Sequence, residues 1–277
     1  MARVADEFHR LQQRLAERAS EPAEAKLSEL LGAGDFEGAL RLKSEEIKFR
    51  REKAKELPRK LFELGIIHEL RFDFPEALAA YREAWQLGRT AEFGFKYSSL
   101  AQRQNRLSEA IGVYEALCEM QMDEPSRATT LNNLAILYRN TQRMKEAEQA
   151  YAEALATYRK LAEANPDAYL PDVGMTLNNL ANLYSNTQRM KEAEQAYAEA
   201  LALRRKLAEA NPDAYLPDVA MTLNNLANLY SDTQRMKEAE QAYVEALDLR
   251  RKLTEANPEA YLPDVAATLN NLAILYR

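Results

Sequence analysis

Asparagine recurs in this chain with a regularity that suits recognition. Asn132 and Asn133, Asn178 and Asn179, Asn224 and Asn225, and Asn270 and Asn271 stand as pairs spaced 46 residues apart. A carboxamide offers two N–H donors and an acceptor oxygen, so a row of them can hold the backbone of an extended peptide whatever its side chains. The same groups can instead bond between neighbouring helices and hold an array together, and for the second Asn of each pair that structural role is favoured. Catalytic chemistry has less to work with. His9 and His68 are the only histidines, they fall in different segments, and no His, Cys and carboxylate set has metal-ligand spacing. Asp172, Asp218 and Asp264 recur singly at expected helix starts, where capping is the expected role. Cys118 falls where its helix should bury a small apolar group, which makes it a core thiol rather than a nucleophile. No glycine-rich loop is present to cradle phosphate. No catalytic residue, metal or cofactor is expected.

The elements that would position the asparagines are legible from the same repetition. The segment TLNNLAxLYxxTQRMKEAEQAYxEALxxxRKLxEANPxAYLPDV begins at Thr130, Thr176 and Thr222, and a fourth copy runs from Thr268 through one helix to Arg277. A fixed period of this size marks a solenoid whose units contact only their neighbours. Leu177, Leu180, Ala181 and Tyr184 make the apolar stripe of a first helix. Thr187-Gln188-Arg189 is a short polar break. Met190, Ala193, Tyr197, Ala200, Leu201 and Leu207 make the stripe of a second helix, expected to end at Asn211-Pro212 because a residue before proline avoids the helical region. Tyr215 and Leu216 are then expected in a connecting loop, with Pro217-Asp218 in the first turn of the next helix. Lys191, Glu192, Glu194, Glu199, Arg204 and Arg205 read as a solvated outer face.

This pattern resembles the tetratricopeptide repeat across residues 130–277. The resemblance rests on Leu177, Leu180, Ala181 and Tyr184, with Ala193, Tyr197 and Ala200, recurring in register. LNNLAxLY followed by EAExxYxEAL is similar to the longer variety found in kinesin light chains and many bacterial tetratricopeptide proteins. Two departures stand out. The period exceeds the family's usual 34 residues by 12, which is assigned to the second helix and its loop. The family's turn glycine is replaced by Gln142, Gln188 and Gln234, so the turn must change conformation or carry strain. The resemblance implies a right-handed α-solenoid, all-α, whose first helices line a concave groove. It places Asn132, Ile136 and Arg139, Asn178, Asn182 and Ser185, Asn224, Asn228 and Ser231, and Asn270, Ile274 and Arg277 on that groove. In the kinesin-light-chain resemblance the asparagines of LNNLA contact bound peptides. Among the three full copies the first helix differs only at Ile136/Asn182/Asn228, Arg139/Ser185/Ser231 and Asn140/Asn186/Asp232. A fixed scaffold with an adjustable surface would look like this.

The first half reads as shorter, divergent units. Leu61, Leu64, Gly65, Phe74, Ala77, Tyr81 and Ala84 repeat the signature, and the alanine anchors are Ala39, Ala77, Ala110, Ala147, Ala193 and Ala239. Residues 1–21 are expected to form an amphipathic capping helix with Val4, Phe8, Leu11 and Leu15 on its apolar stripe, ended by Ser20-Glu21-Pro22 and covering the end of the stack. Residues 22–126 form the divergent repeats and 127–277 the near-identical array, with a shift of curvature expected near residue 127. Phe62, Ile66, Phe95, Lys96 and Arg103 fall at groove-facing spacings that suit an apolar, acidic peptide, or else the N-terminal helix folds against Phe62 and Ile66.

Composition narrows the class of protein. Of 277 residues, 47% are apolar and 29% charged, with eight glycines, which favours an ordered helical chain. The net charge of −6 is interleaved and gives no basic stripe for nucleic acid. The single cysteine fits a reducing compartment, and the absence of an apolar leader or of a span of about 20 apolar residues places the chain in the cytoplasm, with no membrane partner. The expected function is a non-catalytic scaffold that binds a protein or peptide in its groove. The alternatives are self-association through the uncapped last helix, or service as the sensor arm of a larger signalling protein or enzyme.

Overall fold

The computed structural model describes residues 2–17, 22–50 and 56–277; Ser20, Glu21 and the side chain of Val4 lie outside what is described. Among the described residues the chain forms fourteen helices and no strand. It divides into two compact units, Met1–Met120 and Gln121–Arg277. The first contains α1 (Ala2–Glu17), α2 (Pro22–Gly32), α3 (Phe36–Arg50), α4 (Leu57–Leu70), α5 (Phe74–Leu87), α6 (Ala91–Arg103) and α7 (Leu107–Cys118). The second contains α8 (Glu124–Asn140), α9 (Met144–Ala164), α10 (Pro166–Asn186), α11 (Met190–Ala210), α12 (Pro212–Asp232), α13 (Met236–Ala256) and α14 (Pro258–Leu275). Within each unit the helices pair as hairpins, each stacked on the next.

Small residues set the hairpin spacing. All six alanine anchors have no exposed surface, and Tyr81, Tyr151, Tyr197 and Tyr243 are buried beside them. Alanine lets two backbones approach, and tyrosine fills the wedge that opens where the helices diverge. Gly65 takes this to its limit, because a Cβ there would sit 2.5 Å from the Tyr81 ring. The later repeats have Ala135, Ala181 and Ala227 at that place, each fully buried.

Every hairpin closes through a three-residue turn whose middle residue is left-handed: Gly34 (φ 74°), Phe72 (62°), Asn105 (56°), Gln142 (63°), Gln188 (62°) and Gln234 (62°). The glutamines therefore keep the backbone that a glycine would adopt and carry its strain. Hydrogen bonds hold them there. Arg189 N donates to Tyr184 O (2.8 Å) and Gln188 N to Ser185 O (3.0 Å), the Schellman pattern that satisfies the last carbonyls of a helix. The Arg189 guanidinium lies 4.2 Å from the centre of the Tyr184 ring and bonds Glu148 of the preceding repeat at 2.7 Å. A left-handed non-glycine residue costs roughly 1–2 kcal/mol, part of which glycine returns as backbone entropy. Gln188→Gly is therefore expected to raise stability by about 0.5–1 kcal/mol, read as a higher urea midpoint at unchanged slope. A lower midpoint would show that the glutamine side chain compensates for the strain.

The long period arises differently from the sequence expectation. Tyr215, Leu216 and Pro217 are helical, and Pro217 lies inside α12 rather than in its first turn. Both helices of a repeat are 21 residues long, and with a three-residue turn and one asparagine they complete the 46-residue period. The joint is that single asparagine. Asn211 is at once the C-cap of α11 and the N-cap of α12, and its side chain accepts from Ala214 N at 3.3 Å. Asn165 and Asn257 do the same. The caps are thus these asparagines, and Asp172, Asp218 and Asp264 lie within helices instead. Arg204 is likewise not part of the outer face. It is 2% exposed, and its Nη1 donates to Asp218 O (3.2 Å) and Thr222 Oγ1 (2.5 Å), filling the place that Tyr158 fills one repeat earlier. Cys118 ends α7 half-buried rather than in the core.

The first unit has a different interior. Lys43 and Lys60 are each 1% exposed, among Glu24, Glu46 and Glu63. Lys60 Nζ lies 2.7 Å from Glu24 and 2.6 Å from Glu46, and Lys43 Nζ lies 3.0–3.1 Å from all three carboxylates. This cluster ties α2, α3 and α4 together.

Candidate interaction surface

In the second unit α8, α10, α12 and α14 form one row joined by their carboxamides. Asn179 Nδ2 donates to Asn132 Oδ1 (3.4 Å), Asn225 Nδ2 to Asn178 Oδ1 (3.2 Å) and Asn271 Nδ2 to Asn224 Oδ1 (3.3 Å). The opposite row is bridged by long side chains, Arg159 to Glu199 (2.5 Å) and Arg205 to Glu245. The arginine–glutamate row is one face of this unit and the asparagine row the other.

The asparagines divide between two duties on this face. Asn132 and Asn178 are 2% and 4% exposed, and the oxygen of each is taken by the next repeat's second Asn. They act as mortar between repeats. Asn224 is half-buried, and Asn270, on the last helix, is exposed. Asn133, Asn179, Asn225 and Asn271 are half-buried, the last three being the donors of these bonds. One turn further on, Asn182 is half-buried and Asn228 exposed, and both are fixed from beneath. Tyr197 OH donates to Asn182 Oδ1 (2.6 Å) and Tyr243 OH to Asn228 Oδ1. With the oxygen held by a buried phenol, the amide nitrogen is the end presented outward. Ser185, Ser231 and Arg139 flank these positions half-buried, while Ile274 is 60% exposed and Arg277 is exposed.

The first copy departs from this arrangement. Ile136 occupies the place of Asn182, so Tyr151 OH is buried with no hydrogen-bond partner. Burial pushes the Tyr151 phenol up to about 12, against the opposing charge of Arg139. Comparison of positions 136, 182 and 228 shows the exception in the sequence, but not the tyrosine beneath it.

Phe62 and Phe95 of the first unit are not a free surface. Phe62 is 3% exposed and stacks on Phe93 at 4.7 Å, which corrects its expected exposure: the ring belongs to the core beside Tyr81. Phe95 is half-buried, edge-on to Tyr114 at 6.3 Å. Lys96 and Arg103 are spent on Glu69, with Lys96 2.9 Å away. Burial alone would raise the Glu69 carboxyl, but Lys96, Arg103 and Tyr81 together hold it below its ordinary range. Lying over these residues is α1. Its Leu11 and Leu15 are buried, Glu7 pairs with Lys96, and Arg14 pairs with Glu92 at 3.1 Å. Glu7, Arg10 and Arg14 line one side of an open cleft of about 450 Å³, with Phe62, Ile66 and Phe95 on the other. The N-terminal helix thus folds against Phe62 and Ile66, across the faces of α4 and α6.

Stacked helical hairpins joined repeat to repeat define an α-helical repeat solenoid. The Tetratricopeptide repeat family matches residues 126–206 and 172–252, and this stretch of the second unit is built of tetratricopeptide repeats. Solved structures with this fold include BtubC (BKLC) from P. vanneervenii, 24% identical, covering 79% of this chain and 92% of that one with a TM-score of 0.61. The nearly identical TPR-like repeats from Podosopora anserina are 17% identical over 72% of this chain and 96% of their own, with a TM-score of 0.55. MamA is 17% identical over 66% and 96%, with a TM-score of 0.52. These likenesses show the fold alone. No curated protein matches the chain. Proteins of this family are in general protein–protein interaction scaffolds. Among the described residues no helix is long and apolar enough to cross a membrane, and no group of three or more His, Cys, Asp or Glu residues is placed to hold a metal.

Proposed function

We propose that the second unit is a non-catalytic scaffold that holds an extended protein or peptide segment along the asparagine face of α8, α10, α12 and α14. The observation that carries this reading is the fixed orientation of Asn182 and Asn228. Each has its oxygen held by a buried tyrosine and its N–H donors left for a ligand carbonyl. Donors immobilised before binding lose little entropy when a ligand arrives. The position of Asn182 and Asn228 is Ile136 in the first copy, and the neighbouring position is Arg139, Ser185 or Ser231, so both backbone contacts and side-chain preference would differ along the face.

A peptide library displayed on phage and selected on the full chain tests this. Selected peptides are expected to bind the Asn182→Ala/Asn228→Ala variant about tenfold or more weakly. Each change also leaves a buried tyrosine hydroxyl without its acceptor and should lower the melting temperature, so binding is compared at a temperature where circular dichroism shows both chains folded. Peptides that bind the variant unchanged, or a selection that yields none, would overturn the reading.

A further inference from the structure

We propose that copies of this chain associate head to tail, the exposed ring of Phe72 in the first unit of one copy entering an apolar notch between α9, α10 and α11 in the second unit of the next. The contact lies away from the asparagine face and does not depend on the groove reading above.

Phe72 is the knob. It is the middle residue of the turn between α4 and α5, left-handed at φ 62°, where the other hairpin turns hold glycine, asparagine or glutamine. For a bulky aromatic residue that conformation is a genuine outlier. The ring does not close the turn, because backbone groups do so: Phe72 N donates to Glu69 O (3.0 Å) and Asp73 N to His68 O (2.9 Å). Nor does it fill the core. Phe72 is 63% exposed and approaches Phe74 edge-on at 6.2 Å. Strain of this kind persists where it serves a function, and the service open to an uncovered ring is contact with another molecule.

The second unit offers the socket. An open notch of about 510 Å³ is lined by Ala162 of α9, Leu170 and Val173 of α10, and Ala202 and Leu203 of α11, beside the Arg159–Glu199 bridge. A hollow of roughly 150 Å³ suffices for a benzene ring. The next repeat has the same residues at the equivalent places, Ala208, Leu216, Val219 and Leu249, except that Asp248 stands where Ala202 does. Asp248 is exposed and sets a carboxylate where the first notch has a methyl group, so of the two the first is the one left apolar. The charges also match. Glu163 and Lys206 stand at the notch and form no ion pair with any described residue. Phe72 is flanked by Arg71 and Asp73, one of each opposing sign, which pair within the chain with Glu37 and His68. A contact between two different surfaces leaves a free ring on one copy and a free notch on the other, so association continues past a dimer.

Sedimentation velocity of the full chain over rising concentration tests the contact. The mass of the sedimenting species should rise past that of a dimer. Phe72→Gly gives the turn the residue found at Gly34, and Ala202→Asp gives the first notch the residue of the second, so both should fold as the natural chain does by circular dichroism. Each should weaken association about tenfold or more, and Phe72→Asn, with the residue found at Asn105, should act as the glycine does. Mixed in equal amounts, Phe72→Gly and Ala202→Asp should form a one-to-one dimer and nothing larger, because the first keeps only the notch and the second only the ring. A natural chain that stays monomeric, a variant that assembles as before, or a mixture that stays monomeric or grows past a dimer would overturn the proposal and leave the groove reading standing.

Discussion

Lys60→Ala will cost the first unit about 3–5 kcal/mol and make it melt well before the second. Lys60 is 1% exposed and its ammonium bridges Glu24 and Glu46, so removing it leaves buried carboxylates facing one another with Lys43 alone to offset them. Lys60→Met should be almost as damaging, because it restores volume but not charge. Replacing the whole cluster with apolar residues should be far milder, since the desolvation cost disappears together with the attraction. The cluster also gives the first unit an acid limit. Burial raises the Glu24 and Glu46 carboxyls, but Lys60 and Lys43 outweigh it and leave both below 4.5 in the folded chain. A depressed folded value means that the contribution is complete above the unfolded value of about 4.5 and is lost as pH falls through the folded ones. Lys43 behaves conversely: burial lowers it, Glu63, Glu24 and Glu46 outweigh that, and its contribution persists until pH rises beyond 10.5. Thermal melts followed by circular dichroism from neutral to acid pH should show the first unit weakening below about pH 4.5. Equal melting of the variant and the natural chain would mean that water reaches the cluster.

Tyr197→Ala is expected to destabilise the second unit by about 3–5 kcal/mol and to split its unfolding into two transitions. Tyr197 is 2% exposed and packs in a core cluster with Ala181, Leu223 and Ala227, drawn from α10, α11 and α12. In a stack where each unit contacts only its neighbours, a cavity in the middle uncouples the two sides. Tyr197→Phe removes only the hydroxyl bond to Asn182 and should cost about 1 kcal/mol with one transition retained. A single transition in urea for Tyr197→Ala would show that the Arg–Glu and Asn–Asn bridges suffice to couple the repeats.

The scaffold was largely legible in the sequence. Ala147, Ala193 and Ala239, with Tyr151, Tyr197 and Tyr243, sit where their spacing put them, because helical periodicity and small-residue packing are local rules. Errors arose where a local rule competes with context. By sequence rules Pro217 marks the first turn of a helix, yet proline in the second turn forfeits one hydrogen bond and is tolerated where packing holds the turn. The charge of Arg204 points to the surface, but its apolar stem and fork suit a deep gap lined by a carbonyl and a hydroxyl. The asparagines were visible, but their partners lie 47 residues away, and nothing in the period distinguishes a bond to the next repeat from a bond to a ligand. The apolar stripe of the N-terminal helix was equally plain, while its seat over Phe62 and Ile66 depends on three other helices.

The single asparagine between one repeat and the next has a mechanical consequence. Asn165, Asn211 and Asn257 leave no slack between consecutive long helices, so tension applied to the array passes from axis to axis without a floppy hinge to absorb it. Strain spread over identical joints changes pitch evenly, as in a coil spring. A segment lying along the asparagine face would then feel all its carboxamide contacts slide together, and its grip would follow the stretch of the array.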